Sequence, residues 1–119
     1  MPTVLVIDDQ KEALILIKTV LGTRNIDTLT AVNAKKGIEV MRTHMPDLVF
    51  MDLLLPEIDG FKAIEIIKAD DDLKHIPIIA ITAASIANAH ERLRTVGADA
   101  FIAKPFKIPQ LLDLAESFL

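Results

Sequence analysis

Three aspartates and one lysine lie at the ends of short apolar runs, where their chemistry could be combined. Asp8 and Asp9 follow the first run, Asp52 follows a second, and Lys104 follows a third near the end of the chain. Runs of this length and composition predict short buried strands. If these strands are parallel, all four side chains emerge at the carboxyl edge of one sheet, where open α/β sheets bind ligands.

Three carboxylates at one edge repel one another unless a cation lies among them, so a divalent metal with a phosphoryl group is the expected occupant. Mg²⁺ is typically bound by a few carboxylates and retained waters, which suits the adjacent pair Asp8 and Asp9. Helix capping is the alternative for this pair, because Asp is common just before a helix. A cap accounts for one of the two acids, but not for the pair together with Asp52.

Asp52 stands between two apolar stretches, where a lone charge requires a partner or a chemical role. A carboxylate beside Mg²⁺ stays ionised and can attack a phosphoryl group in line, which forms an acyl phosphate. A cap of the turn before Pro56 is the alternative. Lys104 can pair with Asp52 and then with a phosphoryl oxygen, and Thr82, at the end of another apolar run, offers a hydroxyl to the same group.

The whole chain alternates apolar runs with segments of helical period. Asn33 is the expected N-cap of the second helix, and Gly97 the residue that ends the fourth. Alternating strands and helices imply a parallel sheet that helices cover on both faces, and strands that are apolar at consecutive positions support this. Strands are predicted at residues 4–7, 28–32, 48–51, 78–82 and 100–103, and helices at about residues 11–21, 34–44, 61–68, 86–96 and 108–118.

Size and composition narrow the class of protein. A chain of 119 residues predicts a single domain, 1–119. Its composition, with 51% hydrophobic and 25% charged residues, is typical of globular proteins. A net charge of -4 argues against a nucleic-acid partner, and the absence of cysteine excludes disulfides and thiolate metal sites. His44, His75 and His90 lack metal-ligand spacing and are expected to be solvated. Without a transmembrane-length run or a basic leader, we expect a cytoplasmic domain with no membrane partner.

The sequence resembles response-regulator receiver domains from Thr3 to Leu119. The fold implied by the resemblance is the flavodoxin-like (βα)₅ fold, a doubly wound five-stranded parallel sheet of order 2-1-3-4-5. The residues that carry the resemblance are Asp8-Asp9, the segment Asp-Leu-Leu-Leu-Pro-Glu-Ile-Asp-Gly at 52–60, Thr82-Ala83 and Lys104-Pro105-Phe106.

The same resemblance implies roles for the residues of the acidic edge. Asp52 is implied to be the phosphoacceptor. Asp9 and Asp52 are implied to ligate Mg²⁺ directly, together with the backbone carbonyl of Leu54, while Asp8 assists through water.

Further roles implied by the resemblance concern the phosphoryl group and the response to it. Thr82 and Lys104 are implied to bind the phosphoryl oxygens, and Thr82 and Phe101 to form the switch, with Phe101 lacking the hydroxyl of the commoner Tyr. By the same resemblance, Leu54 and Ala84 are implied to flank the approach of water to the phosphorus. Neither side chain orients water or acts as a base, so slow self-dephosphorylation is expected.

The function implied is a phosphorylation-controlled switch of a two-component system or phosphorelay. A sensor histidine kinase or a histidine phosphotransfer protein would supply the phosphoryl group, docking near the exposed apolar pair Ile15 and Leu16 of the first helix. The changed face, around the fourth helix, fifth strand and fifth helix, would bind a downstream protein. We expect a monomer or weak dimer and no turnover of an external substrate.

Three alternatives remain at this stage. A haloacid-dehalogenase-type phosphatase also combines Asp, Mg²⁺, Thr and Lys, but it carries Asp-x-Asp-x-Thr after the first strand, where this chain reads Asp-Asp-Gln-Lys-Glu. A flavodoxin would need a phosphate loop rich in glycine and hydroxyl groups there, and the acids would repel the phosphate of FMN. A receiver excised from a larger regulator or hybrid kinase fits the sequence equally well. The cognate kinase, the output partner, the pathway and any phosphorylation-dependent dimerisation stay open.

Overall fold

The strands of the sheet are parallel and follow the predicted order. The computed structural model describes residues 1–83, 86 and 88–119, and in these residues five strands are arranged as β2-β1-β3-β4-β5. Every neighbouring pair is parallel. The predicted flavodoxin-like order 2-1-3-4-5 is therefore confirmed. The strands are β1 Thr3–Ile7, β2 Asp27–Ala31, β3 Leu48–Asp52, β4 Ile78–Thr82 and β5 Ala100–Ala103.

Helices cover both faces of this sheet. The described residues include α1 Lys11–Gly22, α2 Ala34–His44, α3 Gly60–Lys68, α4 Ala89–Val96 and α5 Ile108–Phe118. One buried apolar cluster joins the sheet to α2, α3 and α4, and a second joins it to α1 and α5. None of the helices in the described part of the chain is long and apolar enough to cross a membrane.

The central strands are apolar at consecutive positions because both of their faces are buried. Along β1, Leu5 and Ile7 belong to the cluster under α2, α3 and α4, while Val4 and Val6 belong to the cluster under α1 and α5. Successive side chains of a strand point to opposite faces, so this split follows from strand geometry. All four side chains are fully buried.

The predicted helix ends agree with the structure at α2 and at the end of α4. The Asn33 side chain accepts a hydrogen bond from the backbone N–H of Lys36 at 2.8 Å, which caps α2 as expected. Gly97 ends α4 with a φ of 91°, a backbone conformation that glycine adopts without the steric cost of a Cβ.

The predicted start of α4 at residue 86 is wrong, because the helix begins at Ala89. Asn88 precedes it with a φ of 54° and a ψ of 31°, a left-handed conformation that interrupts a right-handed helix. Asn tolerates this conformation better than most residues, and apolar periodicity alone does not reveal it. Smaller differences are that β2 begins one residue earlier than predicted and that α3 begins at Gly60.

Candidate functional site

Strand register brings the carboxyl ends of four strands together. Ile7 of β1 pairs with Met51 of β3, and Thr82 of β4 pairs with Ala103 of β5. Because parallel strands run in one direction, the residues that follow them begin at the same edge of the sheet. The candidate site residues lie at this edge.

The structure brings the three acids of this edge into one cluster. Asp8, Asp9 and Asp52 each present a carboxylate oxygen, and these oxygens all lie within 4.8 Å of one another. Asp8 is fully buried and Asp52 is 6% exposed, whereas Asp9 is exposed. The cluster is therefore open to solvent on the side of Asp9, which gives an ion or a phosphoryl group a route of entry.

Lys104 supplies the positive charge at the buried side of the cluster. Its Nζ lies 3.5 Å from Oδ2 of Asp8 and 3.6 Å from Oδ2 of Asp52. Its backbone N–H donates to the carbonyl oxygen of Thr82 at 2.8 Å, and the bond to Pro105 is cis. One ammonium thus faces two buried carboxylates.

Backbone groups fix the orientation of both buried carboxylates. Oδ1 of Asp52 accepts a hydrogen bond from the N–H of Leu54 at 3.1 Å, and Oδ1 of Asp8 accepts one from the N–H of Gln10 at 2.9 Å. In each residue the second oxygen, Oδ2, is the one near Lys104. The geometry therefore directs one oxygen of each acid towards Lys104.

The pKa of Asp52 is raised above its ordinary value. Burial is the largest cause, because it disfavours the charged form, and the negative charge of Asp8 acts in the same direction. The N–H of Leu54 and the charge of Lys104 oppose the shift without cancelling it. The ionised carboxylate of Asp52 therefore lowers the stability of the folded protein.

The donor set fits Mg²⁺. Among the described residues, the three carboxylates carry more negative charge than the ammonium of Lys104 neutralises, and carboxylate oxygens are ligands that Mg²⁺ prefers. The resemblance to receiver domains, which bind Mg²⁺ at an acidic pocket, agrees with this donor set. Leu54 lies two residues after Asp52 and is 58% exposed.

Thr82 and Phe101, the pair expected to form the switch, lie on the neighbouring strands β4 and β5. Thr82 is 4% exposed, and Phe101 is 42% exposed. The ring of Phe101 is stacked on that of His90 from α4, with 4.2 Å between centroids and 32° between the ring planes. His90 is exposed as expected, but its contact with Phe101 was missed, because no local pattern connects a helix residue with a strand residue eleven positions later.

Two further expectations concern the surface and the loop after β4. Ile15 and Leu16 are exposed on α1, as predicted, and Leu16 lines a groove with Ala13 and Phe106. Ala84, which was expected to flank the approach of water to the phosphorus, lies outside the described residues.

The raised pKa of Asp52 leads to a prediction about metal-free protein. The native state favours the protonated carboxyl more than the unfolded chain does, so the contribution of Asp52 to stability is present below the ordinary pKa and lost as pH rises through the raised pKa. We expect Asp52→Asn to raise the melting temperature by a few degrees at neutral pH, and this gain to shrink as the pH is lowered.

Thermal unfolding in the presence of a chelator, from neutral to acidic pH, measures this effect. The control is Asp71→Asn, which removes an exposed carboxylate from the loop before β4. If the rise in melting temperature stays constant with pH, or if Asp71→Asn shows the same rise, the buried charge of Asp52 is not what destabilises the metal-free protein.

Comparisons with known proteins agree with this geometry. The family model of the response regulator receiver domain matches residues 4–116. The polar-differentiation response regulator DivK of Brucella anthropi is 32% identical over 117 residues, which cover 98% of this chain and 95% of that protein.

Solved structures show the same fold in two contexts. The signal receiver domain of a signal transduction histidine kinase from Syntrophus aciditrophicus is 28% identical, with a TM-score of 0.93 over 100% of this chain and 90% of that one. NtrX from Brucella abortus, solved in complex with ADP, is 31% identical with a TM-score of 0.89, and the match covers 100% of this chain but 27% of that one. With the family model matching nearly the whole length, the chain belongs to the response regulator receiver domain family of two-component signalling.

Proposed function

We propose that this receiver domain accepts a phosphoryl group on Asp52 from a phosphohistidine of a partner protein, with Mg²⁺ bound at the acidic cluster. The observation that carries the proposal is the convergence of Asp8, Asp9, Asp52 and Lys104 at one edge of the sheet. In the transfer, Oδ2 of Asp52 forms a bond to phosphorus while the bond from phosphorus to the histidine nitrogen breaks. The product is an acyl phosphate on Asp52.

Each neighbouring residue has a part in this reaction. Asp9, Asp52 and the backbone carbonyl of Leu54 would hold Mg²⁺ directly, and Asp8 would hold it through water. The ion would neutralise charge on the phosphoryl group. The hydrogen bond from the N–H of Leu54 to Oδ1 leaves Oδ2 of Asp52 as the attacking oxygen.

Thr82 and Lys104 would bind the phosphoryl oxygens after transfer. Lys104 is about equally distant from Asp8 and Asp52, so it can remain near Asp8 while it pairs with a phosphoryl oxygen. Thr82 is buried at the end of β4, and its hydroxyl would move towards the new group.

We propose that the domain modifies only itself and does not turn over an external substrate. A haloacid-dehalogenase-type phosphatase places its nucleophile after the first strand, where this chain has Asp8. Asp8 is fully buried, which argues against attack on an external ester from that position. Modification of the domain itself, without an external substrate, also agrees with the match to the receiver domain family.

We propose that residues 1–119 form a single receiver domain that acts in the cytoplasm, as a monomer or weak dimer. Its phosphoryl donor would be a sensor histidine kinase or a histidine phosphotransfer protein, docking on α1 at Ile15 and Leu16, which are 66% and 48% exposed. A downstream protein would bind the face formed by α4, β5 and α5. The match to part of NtrX leaves a larger regulator as the second candidate context.

The first test of the proposal is labelling by a small phosphodonor. Incubation with acetyl phosphate and Mg²⁺ should add one phosphoryl group to the wild type, and intact-mass analysis should find no adduct without Mg²⁺. Asp52→Asn should remove the adduct, because an amide does not form the acyl phosphate. Asp71→Asn is the matched control and should be labelled like the wild type. Full labelling of Asp52→Asn would show that the acceptor is misassigned.

The second test concerns metal binding by Asp9. Mg²⁺ that binds only the folded state stabilises it, by about 1.4 kcal/mol at a concentration ten times Kd. We expect Mg²⁺ to raise the melting temperature of the wild type and Asp9→Asn to lose most of this response. Asp71→Asn should keep it. Equal responses of the wild type and Asp9→Asn would contradict direct ligation by Asp9.

The third test concerns the contact between His90 and Phe101. Aromatic pairs contribute about 0.5–1.5 kcal/mol beyond the area that they bury. The half-exposed ring of Phe101 contacts His90, so loss of the His90 ring should favour a rotamer in which Phe101 turns inward between β5 and α4. We expect NMR spectra of ring-labelled phenylalanine to show this shift in His90→Ala, and to show a further inward shift when beryllofluoride mimics the phosphoryl group. His75→Ala is the control. An unchanged Phe101 in both conditions would contradict its role as the switch.

A further inference from the structure

Gly60, the first residue of α3, packs directly against the backbone of the acceptor residue. A Cβ at this position would lie 2.5 Å from the carbonyl oxygen of Asp52, 2.5 Å from Cα of Leu53 and 2.9 Å from its Cδ2. Non-bonded carbon atoms have their optimal separation at about 3.5–4.0 Å. The nearest atoms belong to the main chain, which cannot rotate away as a side chain can. A larger residue therefore requires that the end of β3 or the start of α3 move.

Hydrogen bonds hold the two sides of this contact in place. The N–H of Gly60 donates to the carbonyl oxygen of Leu53 at 3.0 Å, and the N–H of Leu53 donates to the carbonyl oxygen of Ile81 at 3.2 Å. The side chain of Asp59 caps α3 by accepting from the N–H of Lys62 at 2.9 Å. The end of β3 is thus fixed between β4 on one side and the first turn of α3 on the other.

The orientation of the acceptor carboxylate depends on this segment of backbone. The hydrogen bond to Oδ1 of Asp52 comes from the N–H of Leu54, which belongs to the peptide group that follows Leu53. A shift of Leu53 would therefore move both the carboxylate and the group that orients it. Displacements of about 1 Å at a reacting group can cost two orders of magnitude in rate.

We propose that Gly60 is a positioning residue of the acceptor site, because its missing side chain lets the first turn of α3 fix the main chain of Asp52 and Leu53. The inference rests on the proposed function, since it assigns a consequence for Mg²⁺ binding and phosphorylation to this contact. Gly60 touches neither the metal nor the phosphoryl group, and it acts through Asp52.

Two other glycines provide matched controls. A Cβ on Gly22, in α1, would meet nothing within 4 Å. A Cβ on Gly37, in α2, would lie 2.7 Å from Cγ1 of Ile7, so Gly37→Ala overpacks the core against a side chain rather than against the acceptor backbone. Gly37→Ala therefore reports what a clash with a side chain, rather than with the main chain of Asp52 and Leu53, does to the site.

The experiment measures the Kd for Mg²⁺ by calorimetry and the melting temperature for Gly60→Ala, Gly37→Ala, Gly22→Ala and the wild type. We expect Gly60→Ala to bind Mg²⁺ at least about tenfold more weakly, as is typical when a supporting contact of a metal ligand is lost, and to be labelled more slowly by acetyl phosphate. Gly37→Ala should melt at a lower temperature but keep the wild-type Kd. Wild-type affinity in Gly60→Ala, or an equal loss in Gly37→Ala, would overturn the inference.

If Gly60→Ala does not fold, a measurement on the wild type tests the role of Gly60. In an NMR titration with Mg²⁺, the amide resonances of Gly60 and Leu54 should shift with the same apparent Kd, while that of Gly22 should not move. A Gly60 amide that neither shifts nor changes its hydrogen-exchange rate at saturating Mg²⁺ would overturn the inference. A wild type that binds no Mg²⁺ and forms no adduct would instead refute the proposed function.

Discussion

Repulsion among the carboxylates of Asp8, Asp9 and Asp52 is the constraint on which the organisation of this domain depends. Their oxygens lie within 4.8 Å of one another, and two of the three residues are buried. Parallel strand register sets this spacing, and the apolar layers on both faces of the sheet supply the stability that maintains it. Lys104 offsets part of the repulsion from the buried side. What remains is an excess of negative charge that favours a divalent cation and, with it, a phosphoryl group.

The same excess charge gives an occupant of the site a difference in free energy on which to act. The pKa of Asp52 is raised because burial and Asp8 disfavour its charge, so the metal-free protein is under electrostatic strain at neutral pH. A ligand that binds only this folded arrangement stabilises it by mass action. A ligand can shift a conformational equilibrium only by the difference in its binding free energy between the two conformations. Here that difference would come from neutralising the repulsion among the three carboxylates.

Local sequence patterns are enough to predict the fold and to predict which acids lie together at the edge of the sheet. Consecutive apolar residues such as Val4 to Ile7 predict buried parallel strands, and the acids that follow them must then share an edge. Contacts between distant elements could not be predicted, because the spacing of apolar residues along the chain does not show which helix residue meets which strand residue. The stacking of His90 on Phe101 and the approach of Gly60 to Asp52 follow from how helices pack on the sheet. The late start of α4 depends on the left-handed backbone of Asn88, which apolar spacing does not encode.

The backbone connects the acidic cluster with the face around Phe101 by a short path. The N–H of Lys104 donates to the carbonyl oxygen of Thr82, so the ends of β4 and β5 are joined beside the cluster. Phe101 lies three residues before Lys104 on β5, opposite Ala80 of β4, where its ring contacts His90 of α4. On the other side of the cluster, Gly60 at the start of α3 packs against the main chain of Asp52 and Leu53. The cluster is thus joined on one side to main chain packed against α3, and on the other, through the paired ends of β4 and β5, to an aromatic ring that is 42% exposed.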